Sequence, residues 1–113
     1  MLTTNIERIG SNTVIDLDEK DLLSNDLIRS LSHELSKISN RSAVINLEQI
    51  SALSSREWGE VVALVNALRL IGIRAVLCGI NPSVAMTLIE LVDSPRVESY
   101  LNVDGALDAL EAE

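Results

Sequence analysis

The chain has 113 residues, 47% of them apolar, with no Phe, one Trp, one Tyr and a formal charge of −8. That length suits one domain, residues 1–113, with an aliphatic core, since folding at this size buries roughly two-thirds of the unfolded surface. The acidic balance argues against nucleic acid and anionic membrane surfaces, which call for a basic face. A protein partner would offer basic or apolar groups.

Cys78 is the single cysteine, so no internal disulfide can form and a reducing compartment fits. The opening Met1-Leu2-Thr3-Thr4-Asn5 lacks the basic and apolar parts of a signal peptide. No run reaches the ~20 apolar residues of a membrane span. A cytoplasmic chain without membrane insertion is the expectation.

Ile6–Ile9 and Thr13–Leu17 are short β-prone runs around Gly10-Ser11-Asn12, the pattern of a hairpin. After the acidic stretch 16–21, Leu23, Leu27, Leu31, Leu35 and Ile38 recur mostly four apart and predict one helix over about 20–39, closing at Ser39-Asn40-Arg41-Ser42. Ala43–Leu47 reads as a strand covered on both faces. A helix over about 55–71 follows, with Gly72 at its left-handed end. Ile73–Cys78 is a second apolar strand, and Pro82 opens the next helix. Ser94-Pro95 ends that helix, Val97–Leu101 is a short strand and Asn102–Ala112 a last helix. Helical crossovers make the central strands parallel. The expected fold is α/β, a small mixed sheet with helices packed mainly on one face.

The corner with chemistry to offer is Ser54-Ser55. Ser54 and Glu57 have capping-box spacing, in which each side chain takes a backbone N–H of the other residue. Ser55 then becomes the first helical residue, close to unpaired N–H groups and the positive end of the helix dipole. A phosphate is tolerated there and would change a docking face without unwinding the helix. A cap alone also explains the pair, and both readings stand at this level.

The 45–59 segment resembles the signature of STAS-domain anti-sigma-factor antagonists, a strand followed by Asp-Ser-Ser-Gly-Leu-Gly at a helix start. Ser55 stands where the phosphorylated serine lies, and Trp58-Gly59 where Leu-Gly lie. Leu77–Leu91 is similar to the "GIxPxVAxTLxEL" run of stressosome scaffold and antagonist proteins, and Leu70–Leu77 to their "LLGAxVVL". The resemblance implies a non-enzymatic STAS domain without cofactor, of the short stressosome-subunit type lacking a sensor domain. It implies a phosphoprotein of stress-response signalling. It further implies binding to a serine-kinase-type anti-sigma or switch protein, resetting by a PP2C-type phosphatase and assembly with STAS-domain paralogues. Ser55 would be the phosphoacceptor, Thr87 a secondary one, and Arg56, Glu57 and Trp58 the docking rim. Four positions depart from the family pattern: Ser54 replaces an aspartate, Arg56 and Glu57 replace small residues, and Asn46 replaces the strand aspartate. The alternative is a constitutive, unphosphorylated subunit of a scaffold or transporter-associated complex.

Other chemistry has less support. His33 has no second histidine with which to hold a metal, and reads as a solvent-facing helical residue. Cys78 lies in an apolar strand, where a free thiol behaves as a small hydrophobe. The acidic residues 16, 18, 19 and 21 lack the spacing and glycine of a calcium loop. Trp58 fits a docking anchor and fits the helix's inner face better, at helical spacing from Val61 and Val62.

Overall fold

The computed structural model describes residues 5–23, 26–37, 42–90 and 98–112, the side chains of 23 and 87–90 excepted. Strands β1 (Asn5–Ile9) and β2 (Asn12–Asp16) form the expected hairpin, and Gly10 turns between them at φ 63°. A two-residue hairpin turn led by glycine uses that positive φ, which other residues resist.

Two helices occupy the region where the spacing predicts one: α1 (Glu19–Leu23) and α2 (Leu27–Ser36). Each opens at its own aspartate. Asp18 N–H donates to Asp21 Oδ2 at 3.0 Å and Asp21 N–H to Asp18 Oδ1 at 2.9 Å, a reciprocal cap on α1. Asp26 stands at the N-cap position of α2. Ser, Asn and Asp compete for nearby backbone groups, so Ser24-Asn25-Asp26 disfavours one continuous helix. The leucine spacing still works, because Leu27, Leu31 and Leu35 are all buried. Residues 38–41, with Ile38 and most of the expected polar close, lie outside the described residues, as do Ser94, Pro95 and Val97.

Strand β3 (Ser42–Asn46) leads through a loop to α3 (Ser55–Leu70). Strand β4 (Arg74–Cys78), α4 (Pro82–Glu90), the two-residue β5 (Ser99–Tyr100) and α5 (Val103–Glu111) complete the order. The sheet runs β1-β2-β3-β4-β5, with β1 antiparallel and the other neighbours parallel. Gly72, φ 86°, ends α3 as expected.

Side chains alternate along each strand, so the register sorts them into two cores. Ile15, Ile45 and Leu77 are cross-strand partners on the broad face, under α1, α2, α3 and Val84 of α4. Val14, Val44 and Val76 partner on the opposite face, which α5 covers with Ala106 and Leu110. Most helices therefore share one face, and α5 alone takes the other. All four parallel strands end at one edge, and the loop to α3 starts there.

Candidate functional site: the start of α3

Beyond β3 the chain must turn from strand to helix, and buried apolar residues govern how. Leu47, Ile50 and Leu53 are at most 4% exposed and draw the 47–54 loop onto the broad core. Ile50 N–H donates to the Leu47 carbonyl at 3.0 Å, closing a turn. Ser51 N–H and Oγ–H both reach Glu19 Oε1, at 3.3 and 2.9 Å, which ties the loop to α1.

The loop delivers Ser54 to the N-cap of α3 in extended conformation, φ −79° and ψ 166°. Glu57 N–H donates to Ser54 Oγ at 3.2 Å, and Ser54 N–H donates to Glu57 Oε1 at 3.0 Å. The capping box read from the spacing is present. Ser55 is the first helical residue and is exposed, as are Ser54 and Arg56, while Glu57 is half-buried. The corner thus sits on the surface, with one of its free helix N–H groups occupied by Ser54.

Trp58 does not join this rim. It is 7% exposed and packs with Val61, Leu64, Val65 and Leu68 on the inner face of α3. A side chain buried against the broad core offers a partner no anchor, so its place is structural. Its Nε1 has no hydrogen-bond partner among the described residues. Thr87 belongs to α4, and its side chain lies outside the described residues.

The remaining candidates have ordinary surroundings. His33 is exposed on α2, and Ser36 Oγ–H donates to its carbonyl at 2.7 Å. Cys78 is fully buried, and burial first, then the Asp16 and Glu48 charges, push its thiol up from 9.0 to about 11. At neutral pH it is a thiol, and a nucleophilic cysteine needs the thiolate. Among the described residues no group of His, Cys, Asp or Glu is arranged to hold a metal. No helix among them is long and apolar enough to cross a membrane. An open cavity of about 270 Å³ lies between Glu48, Gly79–Pro82 and Leu101–Asn102, just below the usual size of small-molecule pockets.

A second polar group lies at this edge. Asp16, Asn46 and Cys78 are cross-strand partners at the ends of β2, β3 and β4, and Gly79 follows directly. Asn46 is only 8% exposed and hydrogen-bonds to Asp16 and to the backbone of Glu48. The available signal was a polar residue closing each of two apolar strand runs, and only register shows that they meet.

No family model and no curated protein matches the chain's sequence. Solved structures do match its shape. A serine-to-glutamate variant of RsbS from Moorella thermoacetica superposes with a TM-score of 0.81 at 22% identity, over 98% of this chain and 97% of that one. A chain of the stressosome, described as a signal integration and transduction hub, gives 0.81 at 23% identity over 96% of each. The anti-sigma factor antagonist SpoIIAA in its unphosphorylated form gives 0.66 at 17% identity over 98% of each. Likeness of this kind, end to end in both partners and at low identity, speaks to architecture. The chain has the STAS fold, the architecture of the RsbS, stressosome and SpoIIAA chains.

Proposed function

We propose that the chain is a non-enzymatic, cytoplasmic protein-interaction switch whose α3 start docks a serine-kinase-type partner, with Ser55 as phosphoacceptor. The observation that carries the reading is the exposed Ser55 hydroxyl at the first position of a 16-residue helix, on a loop pinned from below. Phosphorylation there would add about −1.5 to −2 charges. The exposed Arg56 offers a guanidinium that can pair with the phosphate, and the helix start favours negative charge. Fold and cap would persist while the docking face reversed its local charge. Arg56 and Glu57 form the rim of that face, and a PP2C-type phosphatase would restore the unmodified state. The likeness to stressosome and antagonist structures supports the same role and adds STAS-domain paralogues as assembly partners.

The decisive experiment is capture of partners from native cytosol by wild-type chain and by Ser55→Asp, Ser55→Ala and Arg56→Ala variants. Wild type and Ser55→Ala should capture the same kinase-type protein, and Ser55→Asp should fold but lose it. Equal capture by Ser55→Asp would sink the switch. Intact mass should show a phosphate-sized addition that Ser55→Ala removes.

A second reading, a constitutive scaffold or transporter-associated subunit, draws on one feature of the corner. The Ser54 hydroxyl and the Glu57 carboxylate are engaged with each other, and the Glu57 carboxylate would repel an added phosphate. A chain recovered always unmodified and always within a large assembly would favour it. Thr87 stays a secondary acceptor on the resemblance alone.

A further inference from the structure

One transverse row of side chains closes the serine edge of the sheet. Asn5, Asp16, Asn46, Cys78 and Tyr100 are paired neighbour to neighbour across all five strands. Hydrogen bonds join the first four. Asn5 Nδ2–H donates to Asp16 Oδ2 at 3.2 Å, Asn46 Nδ2–H donates to Asp16 Oδ1 at 2.9 Å, and the Cys78 thiol faces Asn46 Oδ1 at 3.7 Å. The same Asn46 oxygen accepts from the N–H of Glu48, in the loop that carries Ser54 and Ser55, at 3.1 Å.

This position demands one donor and one acceptor. An ionised Asp16 can only accept and the Glu48 N–H can only donate, so a carboxamide satisfies both and a carboxylate cannot. Gly79 confines that carboxamide from the side. A Cβ at residue 79 would lie 2.6 Å from Asn46 Oδ1 and 3.1 Å from Glu48 Cβ. Where buried Ile50 and Leu53 hold the apolar side of the loop, the Asn46 bridge holds its polar side.

We infer that Asn46, held by Asp16, is a positioning residue for the serine corner: its carboxamide sets where the 47–54 loop leaves the sheet, and thereby how Ser54 and Ser55 meet a partner. The functional half rests on the docking reading of that corner. The placement of the loop is a property of the chain alone and is measured separately.

The test is backbone amide exchange by NMR on the intact chain, expressed as protection factors. Asn46→Asp sets two carboxylates face to face with no donor between them. Protection at the hydrogen-bonded amides of Glu48, Ile50, Ser51, Ser54 and Glu57 should fall about tenfold at neutral pH, the scale of one lost hydrogen bond to a charged group, while Val76 in β4 stays protected. Asp16→Asn alone should do little, because its carbonyl still accepts from Asn46. The D16N/N46D double variant exchanges donor for acceptor at unchanged charge and should recover wild-type protection. Unchanged loop exchange in N46D, a uniform loss across the sheet, or no recovery in the double variant overturns the inference. Phosphate incorporation at Ser55 from ATP in native cell extract separates the two layers. Loop protection that falls as expected, with incorporation unchanged, overturns the functional half and leaves the loop's anchor standing, whereas no incorporation in wild type overturns the docking reading itself.

Discussion

The serine corner and the polar row lie at the same edge of the sheet, yet opposite kinds of contact hold them. At the corner, Ser54 and Glu57 are three residues apart and exposed or half-buried, so water can replace whatever a mutation removes. In the row, Asp16 and Asn46 are 30 residues apart and Asn46 and Cys78 are 32, at a junction where Asn46 and Cys78 are buried and Asp16 is half-buried. The corner is open to modification because it is locally satisfied. The row constrains change because its members satisfy one another across strands, so that a substitution at one must be matched at another.

Gly79→Ala should break the comparison most strongly. Gly79 adopts φ 69° and an added Cβ would lie 2.6 Å from Asn46 Oδ1, so a methyl group meets both backbone strain and a clash. Urea unfolding should show a loss of about 3 kcal/mol. Alkaline titration probes the same junction through Cys78. The folded thiol keeps its proton to about 11 while the unfolded thiol releases it near 9.0. Stability should therefore be intact below pH 9 and fall as pH rises through that window, with native Cys78 resisting alkylation at pH 8. No such fall in a Cys78→Ala control would assign it to this thiol.

The corner should respond more weakly. Ser54→Ala removes a cap at a cost of about 1 kcal/mol, and Ser54→Gly should recover most of it. The Arg74–Glu98 pair, joined by bonds of 2.7 and 2.6 Å, is smaller still. Its hydrogen bonds to Arg74 hold the Glu98 carboxyl below its ordinary value. Its contribution is present above the ordinary carboxylate range and lost as pH falls through the lowered value. Glu98 is 42% exposed, so Arg74→Gln should cost under about 1 kcal/mol, less at high salt. Least of all, Ser55→Ala should change stability by no more than about 0.5 kcal/mol in the same unfolding assay. A larger loss would mean that Ser55 supports the fold, which would blur the contrast.

Particular residues show why some of this was legible in advance. Alternation and apolar runs located β2, β3 and β4 to within a residue, because a strand in a covered sheet selects apolar groups on both faces. The Ser54–Glu57 box was readable from its three-residue spacing. The break between α1 and α2 was not, since the leucine rhythm passes through it and only the Asp18–Asp21 pairing and the place of Asp26 mark two starts. Trp58 was ambiguous for a similar reason. Helical spacing says which face it shares with Val61 and Val65, and only packing shows that this face is buried.

By itself the amino-acid order determined what depends on near neighbours: the strands, most of the helices, the cap on α3 and the identity of Ser55 as a helix-start hydroxyl. Tertiary structure alone decided which distant groups meet. A slip of one residue between β2 and β3 would turn Asn46 away from Asp16, because side chains alternate faces. Register is a property of the whole sheet, and the polar row and the loop it holds exist through it.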